Sequence, residues 1–366
     1  MYIPRYRITT AILKNIGLVE AAREVIENAP IIPAWEAKFQ SEARLKAAHY
    51  GTALEGNDLT LQQAQIIVDQ VLDTPEQAAA AGVVGRERDV QEVINYRRVL
   101  DHLEQLKAAA RTQLEYSKEL LLQIHQLVTD KLVELEKSGQ LRTVQVVLRN
   151  SVTGEVGFRP PTPLEVPFLV EDFLRWLNSD FGRSEHPVIR AGITHYVLAA
   201  VHPFVEGNGR TARALATLVL VMEGYDIKRF FALEEYFDKH AEDYFGSLMT
   251  VSNQATKLED RDLTPWLETF TQALAIELTR IKESVRQVSV DTQIRKQQGK
   301  QVTLSERQMK LMEYLNANSQ MTMAEARTQL PMVSEDTILR DLKDLMIKGV
   351  VVKKGSTKAA HYVIKK

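Results

Sequence analysis

Two apolar segments, at residues 193–201 and 212–222, constrain the fold of this chain most strongly, and a short polar run separates them. From position 202 to position 213 the chain reads His-Pro-Phe-Val-Glu-Gly-Asn-Gly-Arg-Thr-Ala-Arg. Because helices packed in a core hold both ends of such a loop, its side chains are positioned firmly enough to form a site. We predict two buried helices joined by a rigid polar loop.

The rest of the chain has a predominantly helical pattern. Residues 15–50 and 60–140 are rich in Ala, Leu, Glu, Gln and Arg, with apolar positions three and four residues apart. A further helix is expected to begin near Val166, and helices continue through residues 185–287, with a clear start at residues 264–266. These segments predict a mainly α fold built from antiparallel helices.

One interruption of the helical pattern predicts a β-hairpin. Residues 143–149 alternate with many β-branched side chains, residues 150–155 have the composition of a turn, and residues 156–161 follow as a second extended segment. An exposed edge strand offers unpaired backbone groups to a second chain. The hairpin is therefore either a docking edge or a cover over the helical core.

Length and composition limit the class of protein. A chain of 366 residues exceeds a single core, so two or three domains are expected. The formal net charge is only -2, which gives no overall attraction to nucleic acid or to an anionic membrane. The absence of cysteine excludes disulfides and thiolate metal sites. Without a recognisable signal peptide or membrane span, we expect a cytoplasmic protein with no membrane partner.

The carboxyl-terminal part predicts a separate domain. Helix starts at Ser305, Thr322 and Ser334, followed by a hairpin over residues 349–364, form the pattern of a winged helix-turn-helix. Residues 300–366 hold 12 Lys plus Arg and 7 Asp plus Glu, a local charge of +5. Such a charge suits phosphate contacts on DNA, but a protein-interaction module with the same fold is an equal alternative.

The polar loop has the properties of an anion cradle. Gly207 and Gly209 allow close approach of the backbone to an anion, and a helix that restarts near Asn208 to Arg210 presents unpaired N–H groups toward the turn. Arg210 and Arg213 are three residues apart, so they share one helical face and can grip neighbouring phosphates. This set suits a nucleoside triphosphate.

Two further residues of the loop can supply chemistry. Glu206 is a carboxylate that can hold Mg²⁺ together with phosphate oxygens, since this ion is usually bound by one or two carboxylates plus substrate. His202 can take a proton from a hydroxyl group near neutral pH. Each residue alone has an ordinary structural explanation, and the fixed spacing of the whole set favours a site.

The run resembles the signature of the Fic family, HxFx(D/E)GNGRxxR, and fills every specified position. Members of this family typically transfer AMP from ATP to a hydroxyl side chain of a protein. The resemblance implies ATP and Mg²⁺ as cofactors and a protein substrate, the chain itself included. It also implies these roles: His202 as general base, Phe204 as loop anchor, Glu206 as Mg²⁺ ligand, Gly207, Asn208 and Gly209 as phosphate cradle, and Arg210 and Arg213 as phosphate-binding side chains.

The resemblance extends beyond the signature. In Fic proteins a hairpin upstream of the motif, called the flap, aligns the target segment, and the hairpin within residues 144–158 is similar to it in position. Family members often place an aromatic residue beside the adenine, for which Tyr236 and Tyr244 are candidates, although half-buried packing is the alternative for both. The family also often forms dimers, so a homodimer is expected.

Residues 49–57 resemble the inhibitory helix of some Fic proteins, with the pattern (S/T)xxxE(G/N). Glu55 and Gly56 match it, whereas Gly51 stands at the hydroxyl position and the nearest hydroxyl is that of Thr52. We predict that Glu55 pairs with Arg213 and restrains activity. The alternative is a plain helix end with an exposed glutamate.

These observations predict four regions: residues 1–110 with the inhibitory helix at about 44–57, a Fic catalytic domain at 111–287, a linker at 288–302 and a winged helix-turn-helix domain at 303–366. The predicted function is protein adenylyltransfer restrained by Glu55. Two alternatives stay open, namely a Fic enzyme that removes AMP, and a DNA-binding transcriptional regulator that uses the pocket to sense ATP. A P-loop enzyme is excluded because GxxxxGK(S/T) is absent.

Overall fold

The computed structural model describes residues 2–110, 113–149, 156–289, 304–355 and 360–365. This part of the chain is mainly helical, as predicted. It divides into two compact units, Met1–Arg23 with Ser41–Thr279, and Glu24–Gln40 with Arg280–Lys366. The predicted boundary between residues 110 and 111 falls inside the first unit, and the division into four regions stays a prediction.

Helices make up most of the described chain up to residue 288. They are α1 (Thr10–Asn28), α2 (Pro33–Ala53), α3 (Leu61–Asp69), α4 (Pro75–Ala80), α5 (Glu87–Ala109), α6 (Lys118–Thr129), α7 (Val166–Asn178), α8 (Asp180–Ser184), α9 (Pro187–Val201), α10 (Asn208–Met222), α11 (Leu233–Lys239), α12 (Ala241–Ser252) and α13 (Thr264–Val288). Two short 3-10 turns, Ile227–Arg229 and Leu258–Asp260, lie between the later helices.

The core of the first unit is built on α9 and α10, which pack along each other. Nearly every residue of α9 is buried, and α10 also contacts α5 and α6. Helix α13 crosses α9 closely: Trp266 Nε1 donates to Gly192 O at 2.7 Å, and a Cβ at Gly192 would lie 2.8 Å from Leu267 Cδ2. Because burial of each large apolar side chain contributes roughly 1.5–3 kcal/mol, this core holds the loop between α9 and α10 at both ends.

The segment after α6 differs from its prediction. The helical pattern extends to residue 140, but α6 ends at Thr129 and no helix follows it before α7 among the described residues. Lys131 and Gly139 adopt positive φ angles of 58° and 67°, which a helix does not accommodate. The N–H of Gly139 instead donates to His125 Nδ1 at 3.0 Å. Tertiary hydrogen bonding has therefore overridden local helix propensity.

The predicted hairpin is present but short. Strands β1 (Leu148–Arg149) and β2 (Val156–Phe158) pair antiparallel, with Leu148 opposite Phe158. The strand predicted from residue 143 starts only at residue 148, because side chains bind the backbone before it: Arg142 donates to Val144 O at 3.1 Å, and Gln145 donates to Val146 O at 3.0 Å. The turn at residues 150–155 lies outside the described residues.

The second unit contains the carboxyl-terminal helices and a small sheet. Helices α14 (Glu306–Asn318), α15 (Met323–Gln329) and α16 (Glu335–Ile347) accompany strands β3 (Met321–Thr322), β4 (Val351–Lys354) and β5 (His361–Ile364), in sheet order β3-β5-β4. Ser305 and Thr322 form the expected capping boxes, whereas Ser334 makes no side-chain cap. Strand β3 was not predicted. The winged-helix assignment stays a prediction, and residues 290–303 and 356–359 lie outside the described part.

None of the helices in the described part combines the length and the apolar character that crossing a bilayer requires.

Candidate active site

The loop between α9 and α10 begins with a left-handed residue. His202 caps α9 with φ 51° and ψ 60°, a conformation that costs a non-glycine residue on the order of 1 kcal/mol. Phe204 is fully buried, and Asn208 fixes the turn by accepting from Phe204 N and donating to Phe204 O, both at 2.9 Å. The side chain of Asn208 is therefore engaged within the loop, and only its backbone N–H is available to an anion.

The imidazole of His202 is held as a neutral base. Its Nδ1 lies 3.3 Å from Ala199 O, so Nδ1 carries the proton and Nε2 is left as the acceptor. The pKa of His202 is lowered to about 4. Burial is the main cause and the charge of Arg142 adds to it, whereas the hydrogen bond to Ala199 and the charge of Glu55 act in the opposite direction. A neutral imidazole at physiological pH is the protonation state that general-base catalysis requires.

The amino terminus of α10 faces this loop with free donors. Gly207 occupies the N-cap with φ 75° and ψ 12°, and no side chain caps the helix. Among the described residues no acceptor serves the N–H groups at positions 208–210. A Cβ at Gly209 would lie 2.5 Å from Glu55 Oε1, so only glycine there leaves room for the carboxylate. The free donors and the helix dipole make this end of α10 suited to an anion.

Glu55 is the anion that occupies this position. Its Oε1 accepts from Arg213 Nη2 at 2.7 Å, and its Oε2 accepts from Arg210 Nε at 2.8 Å. Both guanidinium groups are almost fully buried, and 26% of the Glu55 side chain is exposed. Burial alone would raise the pKa of Glu55, but the charges and hydrogen bonds of Arg210 and Arg213 outweigh it and hold that pKa below its ordinary value.

The turn that carries Glu55 accounts for the glycine at the hydroxyl position. Helix α2 ends at Ala53, two residues before Glu55, and Gly51 O accepts from Arg213 Nη2 at 2.7 Å. A Cβ at Gly51 would lie 2.7 Å from Tyr96 Cε1, so serine or threonine cannot stand there without displacing that ring. The hydroxyl of Thr52 bonds within its own helix, to Ala48 O and His49 O, and contributes nothing to Glu55.

Glu206 lies at the rim of the site in contact with arginines. Arg88 at the start of α5 donates to Glu206 Oε1, and Arg210 Nη2 lies 3.7 Å from the same oxygen. Arg88 also pairs with Glu92, at 3.4 Å, and Glu92 lies 3.7 Å from Arg210. Burial raises the pKa of Glu92. Three glutamates and three arginines thus balance each other around the α10 terminus.

His125 of α6 is a residue of the site that sequence reasoning missed. Its ring stacks on Phe204 with centroids 3.7 Å apart, and its Nε2 lies 2.9 Å from Glu206 O. Since Nδ1 accepts from Gly139 N, Nε2 must be the donor to the loop. Burial lowers the pKa of His125 to about 4. A single histidine on an amphipathic helix gives no sequence signal for this role.

The two candidate tyrosines lie in packed surroundings. Tyr244 is 2% exposed, its hydroxyl shares a 3.1 Å hydrogen bond with His195 Nε2, and its ring meets Phe237 at 4.7 Å. Tyr236 stacks on His240 at 4.1 Å. These contacts describe aromatic packing. A role for either tyrosine beside adenine stays a prediction.

The fold and the site together define a helical protein with an anion-binding helix terminus next to a neutral, buried histidine. Residues 113–220 match the model of the Fic/DOC family, so this part of the chain is similar to a Fic domain. The protein adenylyltransferase Fic of Drosophila grimshawi is 29% identical over 189 residues, 51% of this chain and 35% of that protein. Its counterpart in Drosophila persimilis is 30% identical, with 33% of that protein covered. The chain thus matches about a third of the length of these relatives.

Solved structures show the same fold. A crystal structure of a Fic family protein from Desulfovibrio desulfuricans G20 superposes with a TM-score of 0.62 at 23% identity, over 99% of this chain and 98% of that one. Fic-1 from C. elegans superposes with a TM-score of 0.56 at 22% identity, over 77% of this chain and 73% of that one. The mainly helical Fic-type fold predicted from the sequence is confirmed.

Proposed function

We propose that this protein transfers AMP from ATP to a hydroxyl group of a protein, and that Glu55 restrains the transfer. The observation that carries the proposal is the seat of the Glu55 carboxylate on Arg210 and Arg213 at the amino terminus of α10. A carboxylate and a phosphate present similar acceptor oxygens to arginine. The donors that now hold Glu55 are therefore suited to the terminal phosphates of ATP.

His202 supplies the base in this proposal. Its Nε2 takes the proton of the target hydroxyl while the hydroxyl oxygen forms a bond to the α-phosphorus. The bond from that phosphorus to the bridging oxygen breaks, and pyrophosphate leaves with the electron pair. The N–H groups at positions 208–210 and the two guanidinium groups face the charge that develops there, which is the interaction that usually contributes most to such reactions.

The metal chemistry rests on Glu206. It is a partly exposed carboxylate next to the phosphate-binding groups, and one carboxylate combined with phosphate oxygens is a usual donor set for Mg²⁺. No group of three or more metal-binding side chains occurs among the described residues, in keeping with an ion held largely by nucleotide. When bound, Mg²⁺ supplies positive charge to the leaving pyrophosphate. Arg88 would have to release Glu206 first.

The test compares wild type, Glu55→Gly and His202→Ala with ATP labelled at the α position, in Mg²⁺, and follows label on the protein. We expect Glu55→Gly to raise transfer roughly tenfold or more, since it frees both arginines. We expect His202→Ala to lower transfer roughly 10²-fold or more at an unchanged ATP affinity.

Three controls sharpen this test. Asp58→Gly removes a nearby acid that pairs with the exposed Arg86, at 3.0 Å, and should leave transfer unchanged. Label at the γ position should not reach the protein, which separates AMP transfer from phosphate transfer. Release of AMP from a labelled protein, without incorporation by any variant, would instead identify a de-AMPylating enzyme. Full turnover by His202→Ala contradicts the assigned base.

The carboxyl-terminal unit has its own candidate role in DNA binding. Three of the four acids on α16 are paired with neighbouring cations: Asp341 with Arg307 at 2.7 Å, Glu335 with Arg327 at 3.4 Å, and Asp344 with Lys348. Such pairing reduces their repulsion of phosphate. Affinity for duplex DNA that falls steeply with salt would support this role, and binding that does not depend on salt would oppose it.

A further inference from the structure

A buried arginine with no role in the Fic signature connects the base to the hairpin. Arg142 is 3% exposed and lies in the segment between α6 and β1. Its Nε donates to His202 O at 2.8 Å, and its own backbone N–H donates to Pro203 O at 2.9 Å. Its Nη1 donates to Val144 O at 3.1 Å, and its Nη2 donates to Pro161 O at 2.6 Å. One residue thus joins the main chain of the loop that carries His202 to the main chain on both sides of the hairpin.

The environment of Arg142 is unusual for a buried cation. Buried arginines normally pair with carboxylates, but within the described part of the chain only main-chain oxygens accept from this guanidinium. Burial lowers the pKa of Arg142, and no acid offsets that cost. A fork of donors with fixed geometry is what arginine offers and lysine does not. The contacts therefore indicate that Arg142 holds main-chain groups in position.

The carbonyl groups that Arg142 binds belong to two different parts of the structure. On one side, the bonds to His202 O and Pro203 O hold the peptide that follows the left-handed residue at the end of α9. On the other side, Val144 and Pro161 lie at the two ends of the segment that contains β1 and β2. Gln145 supports this junction by donating to Pro160 O at 3.1 Å. Arg142 therefore sets the position of the hairpin base relative to the imidazole.

We propose that Arg142 is a positioning residue for AMP transfer, which holds His202 in its left-handed conformation and fixes the hairpin base beside it. The inference rests on the proposed function, in which His202 is the base, and on the prediction from the sequence that the hairpin aligns the target segment. Arg142 would act by aligning the target hydroxyl with the imidazole of His202. ATP is held elsewhere, by Arg210 and Arg213, and its binding is independent of Arg142.

The kinetic test uses Arg142→Lys in the Glu55→Gly background, where turnover is highest. Lysine keeps the charge but cannot serve carbonyl groups on two elements at once. We expect kcat, measured as labelling of the chain itself with ATP labelled at the α position, to fall at least tenfold, with the affinity for ATP unchanged within twofold. A retained kcat would overturn the proposal.

Arg183→Lys is the matched control. Arg183 also donates to main-chain carbonyls, those of Asn178 at 2.9 Å and Leu114 at 3.2 Å, and touches neither the loop nor the hairpin. This variant should lose comparable stability in urea and keep its kcat. If both variants lose kcat in proportion to their lost stability, Arg142 is merely structural and the proposal fails.

A measurement without turnover separates this proposal from the proposed function. Two charged groups act on the His202 imidazole, Arg142 and Glu55, and burial and the Ala199 carbonyl complete its surroundings. In Arg142→Met, which removes the charge and the fork, the His202 resonance observed by NMR should titrate at higher pH than in wild type, and Arg183→Met should not move it. An unchanged titration overturns the positioning role. If no variant transfers AMP, the proposed function fails even though the shifted titration still supports the role of Arg142.

Discussion

At the scale of single residues, the segment that we propose to be inhibitory keeps its contact with Arg213 although its sequence departs from the motif. Gly51 fills the position where related segments carry a hydroxyl, and the ring of Tyr96 fills the space that a side chain would need. Tyr96 is itself fixed by a 2.8 Å hydrogen bond to Glu234. The backbone oxygen of Gly51 binds Arg213 directly, so the segment contacts the arginine at two points, Gly51 and Glu55.

Restoring the hydroxyl should therefore weaken the restraint. We expect Gly51→Ser to lower the free energy of unfolding by about 1–3 kcal/mol through overpacking against Tyr96, and to raise basal AMP transfer by displacing Glu55. Gly17→Ser on α1 is the control, because a Cβ at Gly17 meets nothing within 4 Å. Urea unfolding and transfer assays on both variants check this. Tighter inhibition in Gly51→Ser would show that the ring yields to the side chain.

The proposed reaction also requires the ion pair between Arg88 and Glu206 to open. Since it binds the carboxylate proposed for the metal, we expect Arg88→Ala to lower the Mg²⁺ concentration for half-maximal nucleotide binding several-fold, about 3- to 10-fold for a partly exposed ion pair. Arg98→Ala on the same helix, which removes pairs with Asp73 and Asp130 only, is the control. Calorimetric titration of Mg²⁺ into the complex with a non-hydrolysable ATP analogue measures the effect. An unchanged Mg²⁺ requirement argues against competition at Glu206.

At the scale of elements, the path from α9 through the loop to α10 was predictable because its signals are local. Apolar segments predict the helices, and Gly207 and Gly209 predict the turn and the start of α10 at Asn208. The hairpin and the end of α6 were harder, since some of their backbone groups bond to side chains of other segments, as Gly139 N does to His125 and Pro161 O does to Arg142. No periodicity of residues 130–147 encodes a hydrogen bond to His125 or Arg142.

The loop should be sensitive to its first glycine for two separable reasons. Gly207 has φ 75°, and a Cβ there would lie 2.8 Å from Thr129 Cγ2 and 3.0 Å from Val128 Cγ1. We expect Gly207→Ala to cost about 2–4 kcal/mol of unfolding free energy, from the strained backbone plus crowding against α6. Gly82→Ala, with φ 89° and nothing within 4 Å, carries the backbone cost alone. Equal losses of stability in urea would show that α6 accommodates the methyl group.

At the scale of the whole molecule, buried neutral histidines link stability to pH. Burial lowers the pKa of His125 and His202 to about 4 and that of His195 to about 3, from an ordinary 6.5. Between these values the unfolded chain binds more protons than the folded chain, so stability is complete above pH 6.5 and is lost as the pH falls toward 4. For His125 alone the loss is on the order of 3 kcal/mol.

We therefore expect the urea midpoint to fall steadily from pH 7 to pH 5. His195→Gln, which removes a fully buried imidazole that stacks on Trp266 at 4.8 Å, should reduce the slope of stability against pH, although its stability at pH 7 is lower. Calorimetry should detect uptake of protons on unfolding at pH 5.5. A midpoint independent of pH over this range contradicts neutral burial of these rings.

The signature residues of the site were predictable from the sequence, whereas the residues that form ion pairs and hydrogen bonds with them from other segments were not. Glu55, Glu206, Arg210 and Arg213 were singled out by spacing and by resemblance, and the structure brings them together at one helix terminus. Four further residues complete the site from segments more than fifty positions before the loop at 202–213, namely Arg88, Glu92, His125 and Arg142. Their roles depend on tertiary geometry, which no local pattern carries.

The ion pairs of Glu55 have a consequence for how the protein responds to its surroundings. Glu55 belongs to the same polypeptide as Arg210 and Arg213. Its effective concentration at these arginines is therefore the same at every protein concentration. Release must then come from an anion that outcompetes the carboxylate or from distortion of the turn after α2. In the proposed function the phosphates of the nucleotide bind the same two arginines, so thermodynamic reciprocity requires that loosening this turn tightens nucleotide binding and that bound nucleotide loosens the turn.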